Sequence, residues 1–183
     1  MNTPQYNIDG YIFTPATLQH LPAIEQLVNS AYRGEESKQG WTSEAVLLGG
    51  ERVTAASLLK DIATDDACIY TCCNEQGAMN ACVFLQKKQG KLYIGMLSVS
   101  PVLQNKGIGK LLLQVAEKLS QVNNCMALTI TVISVRTELI DWYIRYGFRP
   151  TGEMYPFDFP GAILLKKEPL QFIVLDKLMS LSH

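Results

Sequence analysis

The sequence predicts a single α/β (α+β) domain with a mixed, mostly antiparallel central sheet flanked by helices. Its 183 residues suffice for one compact core and fall short of what two domains usually need. Hydrophobic residues make up 48% of the chain and charged residues 18%, a balance typical of a folded protein. Strand-like segments come first as a meander and then alternate with helical segments, which favours a mixed sheet.

The amino-terminal third is predicted to contain one strand and two helices. The strand over Tyr11–Phe13 leads into a proline, which limits its length. Apolar residues then recur with helical spacing at Ile24, Leu27, Val28 and Ala31. The polar segment Gly34–Gly50 is expected to be an ordered loop or a short helix, and a second helix is expected over Thr54–Ala63.

The middle of the chain indicates an antiparallel meander followed by a helix. Three apolar segments, Cys68–Cys73, Ala81–Gln86 and Lys91–Val99, are separated by short polar turns. An apolar stripe at helical spacing then runs from Ile108 to Val122. These segments predict three paired strands packed against one amphipathic helix.

Three further elements are predicted to complete the domain. The β-branched segment Met126–Val135 is typical of a fully buried strand. A helix over Thr137–Tyr146 is expected to end at Gly147, because glycine tolerates the left-handed conformation that closes many helices. Phe172–Leu175 gives a last strand.

Charge and composition exclude several classes of function. The net charge is -1, from 16 basic and 17 acidic side chains, which argues against a nucleic-acid-binding protein. Without a signal peptide or an apolar segment of membrane-spanning length, the chain is expected to be cytoplasmic. The five cysteines form no C-x-x-C pair and fit a reducing compartment as mostly buried hydrophobes. His20 and His183 match no metal-ligand spacing, so no metal is expected.

The most informative segment is Gln104-x-x-Gly107-x-Gly109, between a strand and a helix. Glycines allow backbone N–H groups to approach a ligand, and a helix that begins there adds unpaired N–H groups and the positive end of its dipole. The segment therefore predicts an anion site suited to a pyrophosphate, with Lys106 and Lys110 adding positive charge.

Two nucleotide-binding motifs do not fit this segment. A P-loop requires Ser or Thr after its lysine, but Leu111 follows Lys110. A dinucleotide-binding fingerprint requires a third glycine where Leu112 stands. An ordinary strand-to-helix turn with two glycines remains the simplest alternative.

The segment resembles the (R/Q)-x-x-G-x-(G/A) motif of the GNAT superfamily of acetyl-CoA-dependent N-acetyltransferases. Gly95–Pro101 is similar to the fourth strand of that family, and Trp142–Phe148 resembles its aromatic-Tyr-x-x-x-Gly-Phe motif. The resemblance covers about residues 10–178, the core of a single N-acetyltransferase domain expected over residues 1–183. It implies transfer of the acetyl group of acetyl-CoA to a primary amine of a small molecule, peptide or protein, by direct attack in a ternary complex.

The resemblance also implies a role for each matching residue. The backbone of Leu97, Ser98 and Val99 would pair with the pantetheine arm, and the N–H of Val99 or Leu97 would stabilise the oxyanion. Tyr143 would be the general acid that protonates the departing thiolate, although it could instead be a core aromatic. The pyrophosphate would be bound by Gln104, Asn105, Lys106, Gly107, Ile108, Gly109 and Lys110.

Two departures from the family pattern put the general base in doubt. Arg136 stands where many members have Asn, and Tyr93 stands where many have Glu. A protonated amine cannot attack a thioester, so some base or a water chain is required. Glu44 is the best candidate, and the alternative for it is a solvated surface side chain. Trp41 is expected either to line the acceptor pocket or to fill the core beneath it.

Several alternatives stay open at this point. The same fold could serve a non-catalytic acetyl-CoA-binding or sensor module. The chain could also be an ordinary nucleotide-binding domain, or an acyltransferase that uses a longer or carboxylated acyl group. A covalent acetyl-cysteine is disfavoured, because Cys82 and Cys125 lie in apolar segments where thiols react poorly. Acceptor selectivity is expected to depend on the loops Arg33–Arg52 and Met154–Gly161, and a homodimer is possible.

Overall fold

The computed structural model describes residues 1–33, 44–158, 163–165 and 169–180. In these residues, ten strands form an eight-stranded sheet and a separate two-stranded sheet. The strands are β1 (Tyr6–Ile8), β2 (Tyr11–Pro15), β3 (Leu48–Gly49), β4 (Ala67–Cys73), β5 (Met79–Lys88), β6 (Lys91–Val99), β7 (Ala127–Ile133), β8 (Arg149–Pro156), β9 (Ile163–Leu164) and β10 (Gln171–Leu178).

Four α-helices accompany the sheet within the described residues. Pro22 lies in the first turn of the first helix, where its missing N–H costs little. Thr54 caps the second helix, since its Oγ1 accepts a hydrogen bond from the Ser57 amide at 3.2 Å. The helices are α1 (Leu21–Tyr32), α2 (Ala55–Ala63), α3 (Ile108–Val122) and α4 (Thr137–Arg145). In the described part of the chain, no helix has the length and apolarity that a membrane crossing requires.

The eight-stranded sheet is antiparallel except at one pair of strands. Its strand order is β1-β2-β4-β5-β6-β7-β10-β8. Only β6 and β7 run parallel, with Lys91 opposite Ala127 and Ile94 opposite Ile130. A parallel pair needs a crossover connection, and α3 provides it. The predicted mixed, mostly antiparallel sheet flanked by helices is confirmed.

Two clusters of buried side chains hold the helices on opposite faces of the sheet. Leu112 and Leu119 of α3 are fully buried in one cluster with side chains of β5, β6 and β7. Ile24 of α1 and Leu58 of α2 are fully buried in the other, together with Met96 of β6. Because side chains alternate along a strand, β6 contributes to both clusters and is fixed from both sides.

The structure corrects the prediction for the segment after α4. Met154–Gly161 was expected to be a loop. Instead, Met154 and Pro156 belong to β8, which pairs with β10. Residues 159–161 lie outside the described part of the chain. All eight residues of β8 are exposed, and the strand contains two prolines and a glycine. It therefore lacks the alternation of apolar and polar residues by which strands are recognised in a sequence.

The segment between α1 and α2 also differs from its prediction. Gly34–Gly50 was expected to be an ordered loop or a short helix, and residues 34–43 lie outside the described part. Leu48 and Gly49 form β3, which pairs with Leu164 and Ile163 of β9. Two residues are too few to show strand periodicity, so only the long-range pairing reveals this element.

Adjacent leucines on α2 test how the helix is held. Leu58 is fully buried and Leu59 is 47% exposed. We expect Leu58→Ala to lower the free energy of unfolding by about 2–5 kcal/mol because it leaves a cavity. Leu59→Ala, the matched control, should change it by less than about 1 kcal/mol. Urea denaturation measures both, and equal losses would contradict the assignment of the buried face.

Candidate active site

The candidate site begins where the pairing of β6 with β7 ends. The last parallel pair joins Ile94 to Ile130. Just beyond it, the register between β6 and β5 shifts, and Met96 adopts a φ of +51°, which is unusual for a residue with a side chain. A bulge of this kind bends the strand that contains it. The carboxyl-terminal part of β6 therefore separates from β7 and leaves room for a ligand.

A cavity of about 420 Å³ lies at this separation. It is bounded by the end of β6, the loop before α3, the first turn of α3, and α4. Of the ten residues predicted from the sequence to bind the cofactor, Lys106 is exposed and does not line the cavity. The other nine line it together: Leu97, Ser98, Val99, Gln104, Asn105, Gly107, Ile108, Gly109 and Lys110.

The first turn of α3 presents its backbone to this cavity. Gly107 precedes the helix with a φ of +84°, and Asn105 has a φ of +63°. A Cβ on Gly109 would lie 3.4 Å from Cζ2 of Trp142, so glycine allows α3 to lie close to that ring. The unpaired N–H groups and positive dipole end of the helix make this turn suitable for binding an anion.

A second cavity, of about 170 Å³, meets the first. It lies between the separated parts of β6 and β7, and its lining includes Glu44, Arg52, Tyr93 and Phe172. Five residues line both cavities: Tyr32, Leu97, Arg136, Leu139 and Tyr143. Two molecules could therefore meet at these residues, one bound in each cavity.

Tyr143 is both a core aromatic and a lining residue of the two cavities. It is 3% exposed, and its ring packs edge-on against the rings of Trp142 and Phe148, at centroid distances of 4.9 Å and 5.4 Å. Burial raises the pKa of its phenol well above the ordinary value, and the nearby Arg136 partly opposes this rise. The phenol therefore keeps its proton at neutral pH.

Glu44 is buried beside two guanidinium groups. It is 6% exposed, so the expectation of a solvated surface side chain is wrong. Nη1 of Arg136 donates a hydrogen bond to its Oε1 at 3.1 Å, and Nε of Arg33 lies 3.6 Å from its Oε2. The carboxylate thus lines the smaller cavity as part of an ion-pair cluster that joins the end of α1 to the start of α4.

Tyr32 is a site residue that the sequence analysis missed. Its hydroxyl donates a hydrogen bond to the carbonyl of Leu97 at 3.0 Å, beside the bulge of β6. Burial raises the pKa of this phenol to about 12. Tyr32 follows Ile24 and Val28 at intervals of four on the buried face of α1, so a polar group at the end of an apolar stripe could have signalled it.

A tryptophan and two cysteines complete the candidate residues from the sequence. Trp41 lies outside the described residues. Cys82 and Cys125 are buried, as expected, and burial raises the pKa of both thiols, that of Cys82 to about 12. These thiols are therefore poor nucleophiles. Among the described residues, no three His, Cys, Asp or Glu side chains lie together where they could hold a metal ion.

Solved structures of acetyltransferases share this fold. The ribosomal-protein-S18-alanine N-acetyltransferase of Escherichia coli is 14% identical, with a TM-score of 0.69 over 93% of this chain and 95% of that one. An N-acetyltransferase of Staphylococcus aureus Mu50 is also 14% identical, with a TM-score of 0.67 over 93% and 99%. A ribosomal-protein-alanine N-acetyltransferase of Brucella melitensis is 14% identical, with a TM-score of 0.66 over 91% and 99%. These similarities define the class of fold.

The family follows from the sequence model that the chain matches. A model described as an acetyltransferase (GNAT) domain matches residues 37–160, which is more than half of the chain. The chain therefore belongs to the GNAT acetyltransferase family, and it is an N-acetyltransferase that uses acetyl-CoA. No curated protein sequence matches it. The expected family, fold and acetyltransferase activity are confirmed.

The buried ion pair at the site can be tested through stability. We expect Glu44→Ala to lower the free energy of unfolding by about 3–5 kcal/mol, since it removes a charge partner of the buried Arg136. The control is Glu117→Ala, which breaks a partly exposed pair with Lys177 and should cost less than about 1 kcal/mol. Denaturant titration of both variants provides the measurement. A Glu44→Ala loss as small as that of the control would show that the pair is not buried in solution.

Proposed function

We propose that this chain transfers the acetyl group of acetyl-CoA to the primary amine of a small molecule, peptide or protein by direct attack. The observation that carries the proposal is the meeting of two cavities at Tyr143 and Leu97. Acetyl-CoA would occupy the larger cavity and the amine the smaller one. We further propose that residues 1–183 act as one acetyltransferase domain in the cytoplasm, without a metal ion.

The residues of the larger cavity fit a CoA thioester. The amides from Gln104 to Lys110 would bind the pyrophosphate at the start of α3, where glycines leave the backbone accessible. Bound acetyl-CoA supplies an activated carbonyl and a thiolate leaving group. The backbone of Leu97, Ser98 and Val99 would bind the pantetheine arm as an added strand.

Two side chains hold the β6 backbone where the thioester would lie. Tyr32 donates a hydrogen bond to the carbonyl of Leu97, and Nε2 of Gln104 donates one to the carbonyl of Val99 at 3.4 Å. A donor that is fixed before the reaction need not reorganise as charge develops. We therefore propose the N–H of Val99 as the oxyanion donor, with the N–H of Leu97 as the alternative.

Tyr143 is proposed as the general acid. A phenol with a raised pKa is a weak acid, but the same burial also raises the pKa of a thiol, as it does for Cys82. A thiolate released in this cavity would therefore be a stronger base than in water, which would favour proton transfer from the phenol. Tyr143 would donate its proton as the carbon–sulfur bond breaks.

Glu44 is proposed as the acceptor of the amine's second proton. It is the only carboxylate among the described residues that line the smaller cavity. Its carboxylate oxygens lie beside Arg33 and Arg136, which fix the side chain at the edge of this cavity. The amine would enter as the free base, having lost one proton to solvent, because a protonated amine cannot attack a thioester. Attack makes its nitrogen positively charged and more acidic, and Glu44 would accept the remaining proton.

Removal of the phenol hydroxyl tests the proposed acid. We expect Tyr143→Phe to lower kcat by about 100-fold or more, since general acid catalysis contributes about 10²–10⁴-fold to the rate. The Kd for acetyl-CoA should stay within about twofold of the wild-type value. Steady-state thiol release and calorimetry measure the two quantities.

Because the raised pKa keeps Tyr143 protonated at alkaline pH, the wild-type rate should not fall up to about pH 10.

The exposed Tyr155 supplies the matched control for the Tyr143→Phe variant. Tyr155→Phe removes a hydroxyl that donates a hydrogen bond to Glu153, and neither of these two residues lines either cavity. Its kcat should match that of the wild type. An unchanged kcat in Tyr143→Phe would instead mean that another group protonates the thiolate.

A side chain at Gly109 tests the proposed pyrophosphate site. Gly109→Val would place branched methyl groups between α3 and Trp142 and obstruct the lining of the larger cavity. We expect the Kd for acetyl-CoA to rise at least tenfold, or about 1.4 kcal/mol. Lys118→Val on the exposed side of α3 controls for the helix propensity of valine. Wild-type affinity in Gly109→Val, measured by calorimetry, would refute this placement of the pyrophosphate.

A further inference from the structure

Tyr93 is one of the residues that line the smaller cavity. A Cβ on Gly95 would lie 3.0 Å from Cε1 of the Tyr93 ring and 3.3 Å from Cδ1 of Phe84. The ring therefore covers the α-carbon of Gly95, two residues further along the same face of β6. The Phe84 ring packs against its edge, at a centroid distance of 6.4 Å. These contacts fix the ring from two sides.

The hydroxyl of Tyr93 reaches across to β7. It lies 3.3 Å from Oγ1 of Thr131, within hydrogen-bond distance. Thr131 is the first residue of β7 after the last parallel pair, Ile94 with Ile130. The tyrosine side chain thus spans the point at which the two strands separate, and it lines the cavity there.

A polar surface continues beyond this ring on the same face of the sheet. Tyr93 pairs with Thr129 of β7, and Thr129 pairs in turn with Asp176 of β10. Asp176 forms an ion pair with Lys91, which precedes Tyr93 by two residues on β6. The Tyr93 ring therefore lies between the smaller cavity and this partly exposed polar row.

We infer that Tyr93 is a specificity-determining residue that limits the length of the acceptor amine. This inference rests on the proposed transfer of acetyl to an amine in the smaller cavity. An acceptor whose primary amine is attached to a short substituent fits above the Tyr93 ring. A longer acceptor that extends along β6 towards Lys91 collides with it. The acceptors selected are compact primary amines, and removal of the ring opens a path for longer ones.

The test compares Tyr93→Ala with Tyr93→Phe. The phenylalanine variant loses the contact with Thr131 and keeps the ring over Gly95, so it should retain the wild-type preference. The alanine variant should shift the ratio of kcat/KM values for long and short amines towards the long ones by at least about tenfold, or about 1.4 kcal/mol. A series of primary alkylamines and arylalkylamines of graded length serves as the probe, with thiol release as the readout.

Two controls separate this effect from a general disturbance. Leu59→Ala removes an exposed apolar side chain from α2, outside both cavity linings, and should leave the ratio unchanged. The Kd for acetyl-CoA should be the same in all variants. Tyr93→Leu, which keeps apolar volume next to Phe84, replaces the alanine variant if that protein does not fold; it should shift the ratio in the same direction.

The outcomes are distinguishable. An unchanged ratio in a folded Tyr93→Ala that binds acetyl-CoA overturns the inference. The inference is also overturned if the wild type acetylates no amine of the series and Tyr93→Ala acetylates none of the longer amines. Failure of the wild type to bind acetyl-CoA would instead overturn the proposed function on which the inference rests.

Discussion

The site depends on where the parallel pairing of β6 and β7 ends. Beyond Ile94 and Ile130 the two strands no longer pair, and the bulge at Met96 turns β6 away. Side chains of β6 pack into cores on both faces of the sheet, so the helices on either side hold this separation open. Both cavities lie at the separation, one towards the start of α3 and the other between the strands. The proposed binding and reacting positions therefore follow from a single interruption in the sheet.

The junction between the cavities combines burial with a small number of polar contacts. Burial raises the pKa values of Tyr32 and Tyr143, so both phenols are protonated donors at neutral pH. Tyr32 uses its proton to hold the Leu97 carbonyl, whereas Tyr143 lines both cavities. The pair of Glu44 with Arg136 joins the segment after α1 to the start of α4. Stability and the proposed chemistry thus depend on the same few groups.

Much of the fold and half of the site could be predicted from the sequence, and the reasons are physical. The loop before α3 is recognisable because its glycines and the apolar stripe of the helix that follows are close together in the sequence. Nine of the ten residues predicted to bind the cofactor line the larger cavity. By contrast, β8 is exposed along its whole length and has no apolar alternation to read. Glu44 is hydrogen-bonded to Arg136, 92 residues away in the chain, and Tyr32 to Leu97, 65 residues away. Such contacts form only in the folded protein, so the smaller cavity and the burial of Glu44 were not predictable.

A crystal structure of the acetyl-CoA complex tests the proposed mechanism most directly. We expect the pyrophosphate at the amides of Gln104–Lys110 and the thioester sulfur within about 3–4 Å of the Tyr143 hydroxyl. We also expect the acetyl carbonyl to face the smaller cavity beside Leu97 and Val99. A complex in which the pyrophosphate lies away from the start of α3, or in which the thioester does not reach Tyr143, would contradict it.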